Sequence, residues 1–257
     1  MKHFRPRLSR RAFWVLCALL VCLRLALTGF QQAYIWVGGA PLDDELMFRA
    51  ANHITAGQWL GAYDYLTLSK AMFFPVWLAL LHALHLPYLI SGAALWCGAA
   101  LLAAFAFSTL WRKKDPAQSR VLTLGLFAAL AFLPSSWAAY TLRVYRDNIF
   151  PALCLYFFAG MAGMALRAVF TPEKPLWPWL AAAGAGLACG YLDREDAGLF
   201  LLPFAAAATV IVAVVLAGKR RWKTLAAQVI PYVMLGVGVL TFCTLNYAHY
   251  GLSLIHI

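Results

Sequence analysis

The stretch MFFPVWLALLHALHL at 72–86 sets how this chain is threaded. As a helix rising 1.5 Å per residue it would reach about 22 Å, short of the ~30 Å hydrocarbon core of a bilayer. It carries His82 and His85 and is followed by Pro87. Apolar runs on either side cover about 12–33, 88–111, 121–140, 149–168, 178–192, 197–217 and 225–247. With 63% hydrophobic and 12% charged residues over 257 positions and a mean hydropathy of +0.73, the chain carries more apolar side chain than one water-soluble core can hide. A soluble globular enzyme, a disordered tail and a fibrous repeat are excluded. What remains is an all-α, polytopic transmembrane helix bundle.

Charge resolves whether 72–86 crosses. If it does not, the basic loops at 112–114, 167–174 and 219–223 share a side with the basic amino terminus, as the positive-inside tendency requires. If it does, all three lie outside. The reading is therefore about seven spans, amino terminus inside, with 72–86 as a re-entrant or interfacial short helix. Backbone that re-enters at depth must be buried in protein or line a watery cavity, so a site is implied there. Fifteen of the 21 basic residues then lie inside and eight of the ten carboxylates outside. The net charge of +11 thus reports topology and anionic lipid, and no nucleic-acid partner. The first run reads as an uncleaved span, because no small-x-small site closes it. All six cysteines fall in apolar runs without metal-type spacing, so no disulfide is assigned. No linker divides the chain, which is read as one membrane-embedded unit over 1–251 with a doubtful terminal remnant at 252–257.

Three polar clusters fall on the outer side. In the first, Asp43 is expected to cap an amphipathic helix lying on the membrane surface. Met47, Ala50, Ala51 and Ile54 form its apolar face, Gly57 its end, and Glu45 and Arg49 an i,i+4 pair. Adjacent Asp43 and Asp44 exceed what a cap needs, and neighbouring like charges can leave a usable base. Their spacing does not separate a base from a metal ligand. Lys70 then precedes the short helix in an outer loop, where topology gives no reason for a cation and an anionic ligand would. The second cluster is Arg143, Tyr145, Arg146, Asp147 and Asn148. The third, Asp193, Arg194, Glu195 and Asp196, interrupts a nearly continuous apolar run and is costly unless its members face water or one another. Arg24 is read as snorkelling or bundle-facing. His82 and His85 lack a third ligand and are read as polar residues of the short helix.

These residues, in this order, resemble bacterial members of the GT-C superfamily of polytopic glycosyltransferases, which includes the protein O-mannosyltransferases and the aminoarabinose transferase of lipid A. The resemblance lies in the acidic pair after the first span (Asp43, Asp44), "TLSKAMFFP" with Lys70, "RVYRDNIFP" and "DREDAGLFLLP". Lys70 is followed by Ala71 and Met72 where the relatives usually carry Gly-Pro or Pro-Pro. Family members generally continue with further spans, so the chain resembles an amino-terminal fragment of one.

The resemblance implies transfer of a sugar from a polyprenyl-phosphate-linked donor to an acceptor. The place would be the extracytoplasmic face of the inner (cytoplasmic) membrane, with inversion at the anomeric carbon. Asp43 or Asp44 would serve as the general base. Lys70, Arg143 and Arg146 would stabilise the departing phosphate, and Asp147, Arg194 and Glu195 would orient those cations or contact the sugar. A divalent cation at Asp43 and Asp44 is left open. The rival readings are a transporter or flippase of lipid-linked saccharide, whose charges would be spread through the bilayer, and a non-catalytic envelope-assembly scaffold.

Overall fold

Ser9 opens the first helix by accepting a hydrogen bond from the Ala12 N–H at 3.1 Å, an N-cap that satisfies one of the donors a helix start leaves free. The computed structural model describes residues 7–36, 38, 41–111, 113–171 and 173–255. Lys2, Arg5, Arg112 and the final pair at 256–257 lie outside them. Its elements are helical: α1 (Arg10–Thr28), α2 (Pro41–Thr55), α3 (Phe73–Ala83), α4 (Tyr88–Ser108), α5 (Pro116–Ala131), α6 (Ala139–Leu142), α7 (Phe150–Phe170), α8 (Trp177–Asp193), α9 (Gly198–Gly218), α10 (Trp222–Ala226) and α11 (Ile230–Tyr250). No strand occurs among the described residues; one isolated parallel bridge joins Tyr34 to Arg143.

Five helical stretches are long and apolar enough to cross a membrane: Arg10–Thr28, Tyr88–Trp111, Phe150–Phe170, Gly198–Gly218 and Trp222–Tyr250. They carry exposed rows such as Val15, Leu19, Leu23 and Leu27 on α1, Val210, Ile211 and Val214 on α9, and Val233, Val237 and Leu240 on α11. Contiguous apolar surface on that scale belongs in lipid, and the chain is a multi-pass membrane protein.

The expected run at 121–140 is shorter and shifted. α5 begins at Pro116 and stops at Ala131, because Pro134 cannot donate to a continuing helix and forces Leu133 into an extended conformation. A single 3₁₀ turn, Pro134–Trp137, and α6 follow. α5 has 16 residues and α8 has 17, about 24 and 26 Å of helix. The first span also ends earlier than the expected 33, at Thr28. α3 is the short apolar helix foreseen within 72–86.

The tightest packing is between α7 and α8. A Cβ on Gly160 would lie 2.5 Å from the Ala183 nitrogen, and one on Gly186 would lie 2.5 Å from the Phe157 nitrogen. Each helix therefore presents a glycine where the other's backbone passes, the small-residue contact through which helices in lipid gain van der Waals energy. α4 packs on α7, α11 on α8, and α1 on α4 and α5.

Helix directions sort the charges to two ends. Arg7 meets Asp115 at 3.4 Å, Arg120 donates to the Leu8 carbonyl, and Lys219 donates to the carbonyls of Ala168 and Val169. These contacts define a basic end. The end of α1, the starts of α4, α7 and α9, and the end of α8 form the other end, which holds α2, α3 and most of the carboxylates.

Candidate functional site

α2 turns its apolar face onto protein. Met47, Ala50 and Ala51 are buried, and Leu46, Met47 and Ala50 pack with Leu68, Met72, Phe74, Tyr145 and Ile149. The expected helix on the membrane surface is thus a helix docked on α3. It starts at Pro41 rather than after Asp43, which places Asp43 and Asp44 both in the first turn, where the helix dipole favours carboxylates. Arg49 pairs with Asp64 at 2.7 Å, and the expected Glu45 partner is exposed.

Asp44 is 1% exposed. One oxygen accepts the Trp36 N–H at 2.7 Å, and both accept from Arg143, whose Nε lies 2.9 and 3.1 Å away and whose Nη2 completes a bidentate pair. The Tyr34 bridge brings Arg143 here: Val144 N–H donates to the Tyr34 carbonyl at 2.9 Å, which lays the two strand-like segments side by side. The Asp44 bond outweighs the cost of burial and holds the Arg143 guanidinium protonated more firmly than usual. Three N–H donors engage this buried carboxylate, which keeps it from the exposure a substrate hydroxyl needs.

Asp43 stands differently. Its side chain is 36% exposed and lies 3.7 Å from Lys70 Nζ, and it accepts from the Tyr145 hydroxyl at 3.3 Å. That hydroxyl in turn accepts from Arg146 Nη2 at 2.7 Å. Arg146, almost wholly buried, holds Glu195 through Nη1 at 2.9 and 2.8 Å and the Asp193 carbonyl at 3.0 Å. Glu195 closes the ring by accepting the Ala71 N–H at 2.6 Å, next in sequence to Lys70. Leu68, with φ of 62°, a left-handed conformation uncommon outside glycine, turns the chain so that Lys70 and Ala71 face this ring. Arg194 stands alongside, paired with Asp147 at 3.0 Å and Asp196 at 3.3 Å.

Residues of the three clusters therefore meet, and the eight site residues expected from the sequence fall in three groups: Asp44 with Arg143, Asp43, Lys70, Arg146 and Glu195 in the ring, and Asp147 with Arg194. Two of them change character. Arg143 and Arg146 are bound to carboxylates, which leaves Lys70 as the looser cation. Tyr145, a member of the second cluster with no role expected for it, is the link between Asp43 and Arg146. Burial pushes its phenol above the ordinary tyrosine value, although Arg146 pulls the other way. Asp193 is fully buried with neither carboxylate oxygen hydrogen-bonded. The donor set does not fit a metal. Among the described residues no three His, Cys, Asp or Glu side chains gather to hold one, and the oxygens of Asp44 are taken by Arg143 and Trp36. His82 and His85 are exposed, with rings 6.4 Å apart.

Glu195 gives the network a pH signature. Burial alone would raise its carboxyl, but the Ala71 N–H and the Arg146 guanidinium outweigh that and hold it below the ordinary glutamate value. Its stabilisation is complete above the unfolded value of about 4.3 and is lost as pH falls through the lower folded value. Thermal unfolding in detergent from about pH 6 to about pH 3 should show a steeper acid loss for the wild type than for Glu195→Gln. Parallel curves would remove Glu195 from the network's energetics.

Comparison with protein-family models, curated proteins and solved structures gave no match for this chain.

Proposed function

We propose that this chain is the membrane-embedded part of a glycosyltransferase that moves a sugar from a polyprenyl-phosphate-linked donor to an acceptor hydroxyl. In this reading α5 and α8 also cross, assisted by local thinning at their short ends, which gives seven spans. α3 re-enters at the acidic end, and that end faces the extracytoplasmic side of the cytoplasmic membrane. The observation that carries the reading is the ring through Lys70, Asp43, Tyr145, Arg146, Glu195 and Ala71. It brings a half-exposed carboxylate and a half-exposed ammonium together at the end of the bundle, where a lipid phosphate would rest. The resemblance to GT-C transferases supplies the reaction class.

Asp43 is the group suited to take the acceptor proton, because Asp44 is spent on Arg143. The acceptor oxygen bonds to the anomeric carbon, the bond from that carbon to the phosphate oxygen breaks, and polyprenyl phosphate leaves with the electron pair. Lys70 meets the charge that develops on it. Arg143 and Arg146 act through their partners: Arg143 fixes Asp44 and the start of α2, and Arg146 orients Tyr145 and Glu195. Asp147 and Arg194 hold the neighbouring turn.

The test is a vesicle assay with the full chain, labelled polyprenyl-phosphate hexose and added acceptor alcohols. Label in a new glycosidic bond, with polyprenyl phosphate released in equal amount, is the expected result. Label carried across the bilayer on an intact donor would replace this reading with a transporter.

A further inference from the structure

Among the described residues Arg24 belongs to no ion pair. It lies in α1 four residues before the helix end at Thr28, about 6 Å along the axis, and is 2% exposed. Nη1 donates to Thr28 Oγ1 at 2.6 Å and Nη2 to the Ser136 carbonyl at 2.8 Å. The guanidinium lies over the Trp137 ring, 3.6 Å from its centroid. Its buried Nε has no acceptor. Among the described residues no carboxylate approaches Arg24 to ion-pair distance, and all ten carboxylates of the chain belong to those residues. Two of the five guanidinium N–H donors are used, both by neutral oxygens.

Arg24 lines a cavity of about 50 Å³ together with Gln31, Ser135, Tyr140, Asn148 and one carboxylate, Asp147, which is held by Arg194 at 3.0 Å. At ~10–15 Å³ per water site this is room for a few waters or one small anionic group. The lining carries a second orphan, the buried Asn148 Oδ1, which has no donor among the described residues. A buried cation without an ion-pair partner, beside a carboxylate already taken by Arg194, is costly inside a membrane protein and marks a place where an opposite charge arrives. The remaining guanidinium donors and the Gln31 amide suit the several oxygens of a phosphate. Asn148 Oδ1 suits a hydroxyl on the same ligand. α1 exposes Leu23 and Leu27, and Phe30 just past its end is exposed as well, an apolar flank for an acyl or prenyl tail.

We propose that the Arg24 cavity binds the phosphate group of an amphiphile at headgroup depth, at a place that shares no residue with the Asp43 ring and adjoins it through the Asp147–Arg194 pair. The inference does not depend on the transfer reading, because binding is measured without turnover.

Native mass spectrometry of the full chain in phosphate-free detergent would use three probes: a polyprenyl monophosphate, phosphatidylglycerol and inorganic phosphate. The wild type is expected to retain at least one of the two lipid phosphates at least tenfold more tightly than inorganic phosphate. Arg24→Gln is expected to lose that binding by at least tenfold. Thr28→Asp places a carboxylate on the guanidinium, so it keeps the fold and should displace the ligand equally. It carries the test if Arg24→Gln does not fold. Preference between the two lipids identifies the source. Inorganic phosphate bound as tightly as the lipids would overturn a lipid-borne ligand. Thr28→Asp binding within twofold of the wild type, or no probe binding the wild type, would overturn the site.

Discussion

Arg143→Ala should unfold the protein at markedly lower temperature or denaturant concentration, with a loss of about 3–5 kcal/mol, the usual cost of leaving one member of a buried ion pair without its partner. The magnitude follows from asymmetry of exposure. The Asp44 side chain is fully buried and that of Arg143 is 11% exposed, so removal of the guanidinium leaves a carboxylate with the Trp36 N–H as its one remaining hydrogen-bond donor among the described residues. The double variant Asp44→Ala, Arg143→Ala should recover a large part of the loss, since it removes both charges. Equilibrium unfolding in detergent measures this. A double variant as unstable as the sum of the two singles would show that the pair does not interact as described.

Asp43→Asn should do the opposite: little change in stability and a fall in transfer rate of about 10²–10⁴, the range supplied by a positioned general base. Asp43 is partly exposed and its contacts to Tyr145 and Lys70 are long, so an isosteric amide keeps the local structure. Asp44→Asn should lower both stability and rate. A variant at Asp43 with wild-type turnover and one at Asp44 with normal stability but no turnover would exchange the roles assigned to the two.

The inequality of these neighbours was partly legible. Asp44 lies three and seven residues before Met47 and Ala51, on the stripe that turns into the core, and that spacing is the signal for its burial. What it pairs with was not legible, because Arg143 lies 99 residues away and nothing local specifies that meeting. The same holds for Arg146 with Glu195 and for the Ala71 N–H. The apolar runs were legible because in lipid composition dictates helix, whereas their ends depend on single residues such as Pro134, which follows the end of α5 at Ala131. An apolar helix face that meets a membrane surface is indistinguishable, in sequence, from one that docks on a neighbouring helix, as that of α2 does on α3. Arg24 could be recognised as unusual by its place within an apolar run, but its lack of a carboxylate partner emerges only from the packed bundle.

The account depends on the acidic end of the bundle facing away from the cytoplasm while the basic end faces it. A membrane-impermeant maleimide applied to intact cells tests this with two single cysteines added to the native chain, Glu45→Cys beside the site and Lys113→Cys at the basic end. Glu45→Cys should be labelled well above the native-cysteine background, and Lys113→Cys should react only after the cells are opened. Labelling of Lys113→Cys in intact cells with Glu45→Cys protected would contradict the account.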